Sequence, residues 1–289
     1  MHKNVGMIGM GLLGSALAER LLGGGFSVLG YDVQPAATLA LREAGGQAAA
    51  SAVEVAATCE RLLLSLPDST VVGRVLDEIG SALKPGSIVI DTTTGAPEDA
   101  ECFAARLQAR GVCYLDATVG GSSRQARRGE ALLMCGGDER AYQQCLDLFA
   151  CCGRQTFFVG PSGSGARMKL VTNLVLGLTR AVLAEGLEYA RACGLAPELA
   201  LEILKAGPAY SRPMDVKGQK MLSADFTPEA RLSQHLKDVR LILSTGERCG
   251  AHLPLSALHE TLLAQVEAAG YGGADNSAII QAFRKDSRS

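Results

Sequence analysis

The sequence predicts an α/β domain built on a parallel sheet, joined by one long helix to an all-helical domain. Three observations carry this prediction. Strand and helix patterns alternate from residue 4 to residue 159, the strand pattern stops at Pro161, and from Ala166 to about Ala192 there is no proline and only two glycines. The boundary is placed where the structural class changes, giving domains 1–162 and 163–289. The chain has 289 residues, 47% of them hydrophobic and 20% charged, with net charge −2. That composition fits a globular chain of two domains and gives no support for a nucleic-acid surface. The absence of Trp also argues against base-stacking platforms. The nine cysteines are an odd number without a C-x-x-C, so free buried thiols in a reducing cytosol are expected. His2, His235, His252 and His259 lack metal spacing and are read as structural, so no metal site is expected. No signal peptide is expected, because Val5 already opens a strand. No membrane span is expected either. Met168–Ala184 is short for one and contains Lys169, Asn173 and Arg180.

The elements follow in order. Residues 4–8 form an apolar strand that runs into Gly9-Met10-Gly11-Leu12-Leu13-Gly14 and a helix over Ser15–Leu22. A G-x-G-x-x-G between strand and helix supplies a tight turn, backbone that a pyrophosphate can approach, and close helix–strand packing. The anion then meets free N–H groups at the helix start. A second strand, Ser27–Tyr31, ends at Asp32, 21 residues after Gly11. A carboxylate there accepts hydrogen bonds from ribose hydroxyls and repels a 2′-phosphate. The nearest following arginine is Arg42, so NAD is favoured, with NADP as the alternative. The domain is therefore of the Rossmann type. Helices are expected at Pro35–Ala44, within Ala48–Ala57, at Ser69–Leu83, Pro97–Arg110 and Glu139–Phe149. Strands are expected at Arg61–Leu66, Ser87–Asp91, Cys113–Ala117, Glu130–Cys135 and Thr156–Val159.

Ligands in such sheets bind beyond the carboxyl ends of the strands. One of those ends, Asp116–Arg124, reads as a polar glycine loop. Its hydroxyls, backbone N–H groups and Arg124 are the ingredients of an anion site, whereas Arg127 and Arg128 read as solvated. The long helix is apolar on nearly every side over Met168–Ala184, which predicts burial in a core or an interface. Lys169 and Asn173, four residues apart, share one of its faces. A lysine in such surroundings suits proton transfer near neutral pH. Further helices are expected at Pro197–Lys205, Ser233–Arg248, Leu255–Ala269 and Ser277–Lys285, with a loop through Pro208 and Pro213. A helical half this apolar predicts pairing with a second copy, as a homodimer or homotetramer.

Six motifs in order give the chain a family resemblance. They are VGMIGMGLLG at 5–14, SLPDS at 65–69, DTTTGAP at 91–97, DATVGGS at 116–122, GSGARMKLVTN at 163–173 and HLKDVRL at 235–241. Together they resemble the β-hydroxyacid dehydrogenases, the family of 3-hydroxyisobutyrate dehydrogenase and tartronate semialdehyde reductase, and more distantly 6-phosphogluconate dehydrogenase. The resemblance implies a catalytic lysine at Lys169 and an asparagine at Asn173 that hydrogen-bonds the substrate and fixes the lysine. It places Lys237 near the bound cofactor, and Leu66, Pro67 and Thr94 on the nicotinamide side. It implies an NAD(P)-dependent oxidoreductase acting on a small anionic hydroxyacid or its aldehyde, held by Thr118, Gly120, Gly121, Ser122, Ser123 and Arg124. Two departures bear on the substrate. Gly120 replaces the serine that usually grips the substrate carboxylate, and Thr172 replaces the first of two asparagines. The loop partly resembles that of sulfolactaldehyde reductases, although the arginine of that loop corresponds to Gly121. A sulfonate- or phosphonate-headed analogue, an oxidative decarboxylase, an imine reductase and a non-catalytic NAD-binding dimer are the alternative readings. Lys169 weighs against the imine reductase, whose members generally replace it.

Overall fold

The computed structural model describes residues 3–284. His2, read above as structural, and Lys285, expected in the last helix, lie outside the described residues. The chain divides into two compact units, 1–169 and 170–289.

The first unit holds eight strands: β1 (Asn4–Ile8), β2 (Ser27–Tyr31), β3 (Gln47–Ala48), β4 (Arg61–Leu64), β5 (Ile88–Asp91), β6 (Cys113–Gly120), β7 (Leu132–Gly137) and β8 (Gln155–Gly160). They form one sheet in the order β3-β2-β1-β4-β5-β6-β7-β8. All pairs are parallel except β6–β7. The first six strands have the doubly wound order, which reverses direction beside β1, where ligands bind in such sheets. Strands β4 and β5 are buried at every position, as expected for a sheet covered on both faces. Alternation assigns the faces. Met7, Leu63, Ile90 and Leu115 pack with helix α1 (Leu12–Gly23), whereas Ile8, Leu62, Leu64 and Val89 pack with α3 (Ala52–Thr58) and α4 (Ser69–Ile79).

Several elements depart from the sequence reading. Helix α1 begins at Leu12 rather than Ser15, because Gly11 itself is the N-cap. β3 is a two-residue strand beside β2, too short to read as a pattern. Strand β6 runs on through Gly120 because β7 turns back against it, pairing Leu115–Gly120 with Gly137–Leu132. Thr118 and Gly120 therefore lie in a strand, not a loop. A short helix α6 (Ser123–Arg127) follows, closed by a Ser122–Gln125 capping box. The helix expected over 139–149 splits into α7 (Glu139–Gln143) and α8 (Leu146–Cys152), which stacks Tyr142 on Phe149.

Helix α9 (Ser164–Ala192) begins in the first unit and continues into the second. The second unit adds α10 (Pro197–Ala206), α11 (Arg212–Ser223), α12 (Leu232–Arg248), α13 (Pro254–Val266) and a 3₁₀ segment over 276–283. Helix α11 occupies what reads as a proline loop. Pro213 stands in its first turn, where a missing N–H costs nothing. Leu183, Leu187, Leu236, Val239, Leu263 and Ile279 form the core of this unit. In the single chain the core of its own unit does not cover the early part of α9 on every side. Met168, Val171, Val175, Leu176 and Val182 face outward. By length and composition alone α9 would also cross a bilayer. Yet it buries Asn173 and Arg180, which a lipid-facing helix does not readily do.

Candidate active site

The turn after β1 separates the roles of its three glycines. Gly9 has φ +87°, and a Cβ there would overlap the Ser65 carbonyl at 2.3 Å and touch Leu66 at 2.9 Å. A Cβ on Gly14 would strike the Gly9 carbonyl at 2.2 Å, so this glycine lets α1 lie on the strand. A Cβ on Gly11 would meet nothing within 4 Å. Internal packing does not require glycine at this position, which is the N-cap of a helix with no acidic residue in its first turn. Open space over free amides is what an approaching pyrophosphate needs. Met10 and Gln34 donate their amides to the two Asp32 carboxylate oxygens at 2.6 and 2.8 Å, which fixes that carboxylate at the end of β2. Ser15 braces the turn by donating to the Met10 carbonyl at 2.7 Å. Leu12 and Leu13 continue the turn into α1, Leu12 exposed and Leu13 half-buried. Across β1, Leu66 donates its amide to Thr93 Oγ1 at 3.1 Å, and at neighbouring strand ends Leu66 and Thr94 are half-buried and Pro67 is exposed. These residues fit a dinucleotide.

Strand β6 anchors the start of α9. Asp116 accepts hydrogen bonds from Gly163 N at 3.0 Å and Ala166 N at 2.8 Å, satisfying amides that the first helical turn leaves open. Thr118 donates to the Gly165 carbonyl at 2.9 Å. A Cβ on Gly165 would meet the Asp116 carbonyl at 2.1 Å, so strand and helix backbone are in direct contact. From this base Lys169 donates to the Val119 carbonyl at 2.7 Å, its ammonium half-buried. The Asp116 carboxylate is placed where a helix dipole favours negative charge. Its pKa is raised by burial, and the amide bonds oppose the shift.

Asp91, the register partner of Asp116 on β5, is pushed up to about 6 by burial, against hydrogen bonds from Thr93 and Tyr114 and with the Asp116 charge adding to it. Tyr114 donates to it at 2.7 Å. The two carboxylates flank a small cavity shared with Ser69, Thr93 and Ala166. The linkage sign is that of a carboxyl raised on folding. Asp91 favours the fold fully below its ordinary value near 4, and this contribution is lost as pH rises through about 6. Asp91→Asn should therefore flatten the fall in Tm between pH 4 and 6, by on the order of 3 kcal/mol in unfolding free energy. Thermal unfolding of both proteins across that range checks it. Equal slopes would refute the burial assigned to Asp91.

The residues expected to hold the substrate separate into two groups. Thr118 is fully buried and its hydroxyl is engaged by the start of α9, so it anchors the helix rather than facing a ligand. Ser122 caps α6, accepting from Gln125 N at 3.3 Å. Gly120, Gly121, Ser123 and Arg124 lie at the accessible end of β6 and the start of α6. Gly121 has φ +142°, whereas a Cβ on Gly120 would make only ordinary contacts of 3.5 Å or more.

In the second unit Asn173 donates to Asp238 Oδ2 at 2.9 Å, and both are buried. Lys237 lies 3.3 Å from Asp238 Oδ1. Asp238 thus fixes the Asn173 amide, a function the sequence reading did not assign although the residue stands in the quoted HLKDVRL. A lone acid on the apolar face of α12 was the available signal. Among the described residues no cluster of three or more His, Cys, Asp or Glu could hold a metal ion, and all nine cysteines are free.

A doubly wound sheet with this phosphate turn, followed by a helix that presents a lysine at its start, defines an NAD(P)-dependent oxidoreductase. Residues 4–160 match the NAD-binding domain of 6-phosphogluconate dehydrogenase, and residues 163–283 match the NAD-binding family of NADP-dependent 3-hydroxyisobutyrate dehydrogenase. The chain belongs to the β-hydroxyacid dehydrogenase family. It is 30% identical to an L-threonate dehydrogenase of Cupriavidus necator, over 98% of this chain and 97% of that protein. It is 31% identical to a 2-(hydroxymethyl)glutarate dehydrogenase of Eubacterium barkeri, over 97% of this chain and 95% of the other. The crystal structure of a 3-hydroxyisobutyrate dehydrogenase from Salmonella typhimurium superposes with TM-score 0.89 at 29% identity, covering 97% of this chain and 99% of that one.

Proposed function

We propose that this dehydrogenase interconverts a short β-hydroxyacid and its semialdehyde with Lys169 as the general acid–base. The observation that carries the reading is Lys169 itself, braced at the first turns of α9 by three β6 residues. The nicotinamide, when bound, accepts or supplies the hydride at the carbon bearing the oxygen. In oxidation Lys169 Nζ takes the hydroxyl proton, and in reduction it returns that proton to the oxygen. Asn173, one helical turn on and held by Asp238, orients the same oxygen. Gly9 to Gly14 and Asp32 hold the dinucleotide, Leu66, Pro67 and Thr94 face its nicotinamide end, and Lys237 assists its binding. Gly120, Gly121, Ser123 and Arg124 anchor the acid group, which fixes orientation. The bare Gly120 favours a second reading of the head group, a bulkier sulfonate or phosphonate in place of the carboxylate. The test follows nicotinamide absorbance over hydroxyacids and aldehydes carrying carboxylate, sulfonate or phosphonate heads. Turnover lost in Lys169→Ala supports the reading, and CO₂ release would convert it to an oxidative decarboxylase. Cofactor binding without turnover on any member would refute it in favour of a non-catalytic NAD-binding protein.

The carboxylate at Asp32 supports NAD as the preferred cofactor. Asp32→Ser retains an acceptor and removes the charge that opposes a 2′-phosphate. The ratio of kcat/KM for NADP over NAD should rise by about ten- to hundredfold, the equivalent of one charge-assisted hydrogen bond. An unchanged ratio would remove Asp32 from the ribose site. The reading places the enzyme in the cytoplasm as a homodimer or homotetramer. Val182 and Tyr189 on α9, with Leu195, Leu199 and Ile203 near and on α10, are all more than half exposed in the single chain. Apolar surface of that kind marks an association face. Sedimentation should give at least a dimer that Val182→Arg weakens, and a wild-type monomer would count against it.

A further inference from the structure

Helix α9 also carries Arg180, whose surroundings differ from those of Lys169. Arg180 is 8% exposed, and burial pulls its pKa down to about 10. A guanidinium withdrawn from water normally takes a carboxylate. Here its one side-chain partner among the described residues is His235, with Nη2 to Nε2 at 3.5 Å, a long contact for a fork of five donors. Asp275 is the carboxylate whose charge reaches it, but Asp275 is already committed. It takes Lys217 at 2.9 Å, the Ser277 hydroxyl at 2.8 Å and the amides of Glu229 and Ala230.

The groups beside Arg180 are suited to an anion. His235 from α12 and His259 from α13 have ring centroids 5.3 Å apart and press on Gly177 of α9, where a Cβ would lie 2.5 Å from His235 Nε2 and 2.9 Å from His259 Cε1. Gly177 thus brings both imidazoles against the helix backbone, three residues before Arg180. Burial first, and the Arg180 charge second, lower the His259 pKa to about 4, so that ring is neutral at physiological pH. The nearest acid on α12, Asp238, is bonded to Asn173. The cluster therefore sets the Arg180 guanidinium beside two imidazoles, and among the described residues no carboxylate oxygen is bonded to Arg180.

We propose that Arg180, His235 and His259 form a binding site for a carboxylate anion, separate from the proton-transferring lysine. A planar carboxylate matches the guanidinium fork and gains charge-assisted bonds in a poorly hydrated setting. Two sources supply such a group: a free carboxylate in solution, or the second acid of a dicarboxylic substrate. The second source rests on the dehydrogenase reading, and the first does not.

The test titrates the full-length protein with acetate and with glutarate at constant ionic strength, following the imidazole resonances of His235 and His259. In the wild type both should shift saturably. Arg180→Gln should weaken apparent affinity by about ten- to hundredfold, the loss of one charged hydrogen bond. Gly177→Ala, whose added methyl displaces both rings while leaving Arg180 in place, is the second variant and should weaken binding too. Imidazole resonances that ignore both anions, or that respond equally in Arg180→Gln, would overturn the proposal. These readouts need no turnover, so they stand even where the dehydrogenase reading fails. A kcat/KM that falls at least tenfold more for a dicarboxylic than for a monocarboxylic substrate in Arg180→Gln identifies the substrate's own second acid as the occupant. An equal effect on the two substrates, with binding lost, identifies the free anion.

Discussion

Lys169→Ala should reduce turnover by about 10²–10⁴ while leaving NAD binding nearly unchanged. The size follows from the chemistry. Without a positioned acid–base group, the proton must pass to water as charge develops on the substrate oxygen. Lys169→Arg should fail as badly, because a guanidinium cannot give up its proton at working pH and its planar fork does not reproduce the ammonium bonded to the Val119 carbonyl. The measurement is single-turnover nicotinamide absorbance beside cofactor titration by fluorescence. A variant that loses cofactor affinity and keeps its turnover would transfer Lys169 from proton transfer to dinucleotide binding.

The second large effect is expected away from the reacting atoms. Asp116→Ala removes the acceptor for Gly163 N and Ala166 N, which lie where strand and helix backbone are too close to admit a Cβ. Two buried donors are left unsatisfied, at about 1–3 kcal/mol each, for a total of about 2–6 kcal/mol. Asp116→Asn can accept one of the two amides and should cost about half as much. Both variants loosen the turn from which Lys169 projects, so kcat should fall with KM for NAD little changed. Denaturant unfolding and steady-state kinetics check the two parts. A stable Asp116→Ala enzyme with normal kcat would show that α9 holds its start without β6.

These effects depend on features that were not equally legible in the chain. The phosphate turn was legible because every residue in it acts through its nearest neighbours. Gly9, Gly11 and Gly14 serve one turn, and Asp32 ends the adjacent strand. The long helix and its lysine were legible for the same reason, since an uninterrupted apolar run without proline declares itself locally. Thr118 was not. Its type and position in a polar run suggested a ligand hydroxyl, but the antiparallel return of β7 extends β6 past it and buries it against α9. Asp238 was hidden similarly, as its partner Asn173 lies 65 residues away on another helix.

The sequence by itself determined the two classes of structure, the glycine turn after the first strand, the carboxylate that ends the second strand and the helix bearing Lys169, because strand period, glycine spacing and helix length are short-range properties. Tertiary structure alone decided which side of α9 is covered, which hydroxyls are consumed internally, and that Arg180 is buried beside two imidazoles rather than a carboxylate. Burial and pairing are set by strands and helices far apart in the chain, and a polar side chain keeps or loses its freedom to bind according to which of them meets it.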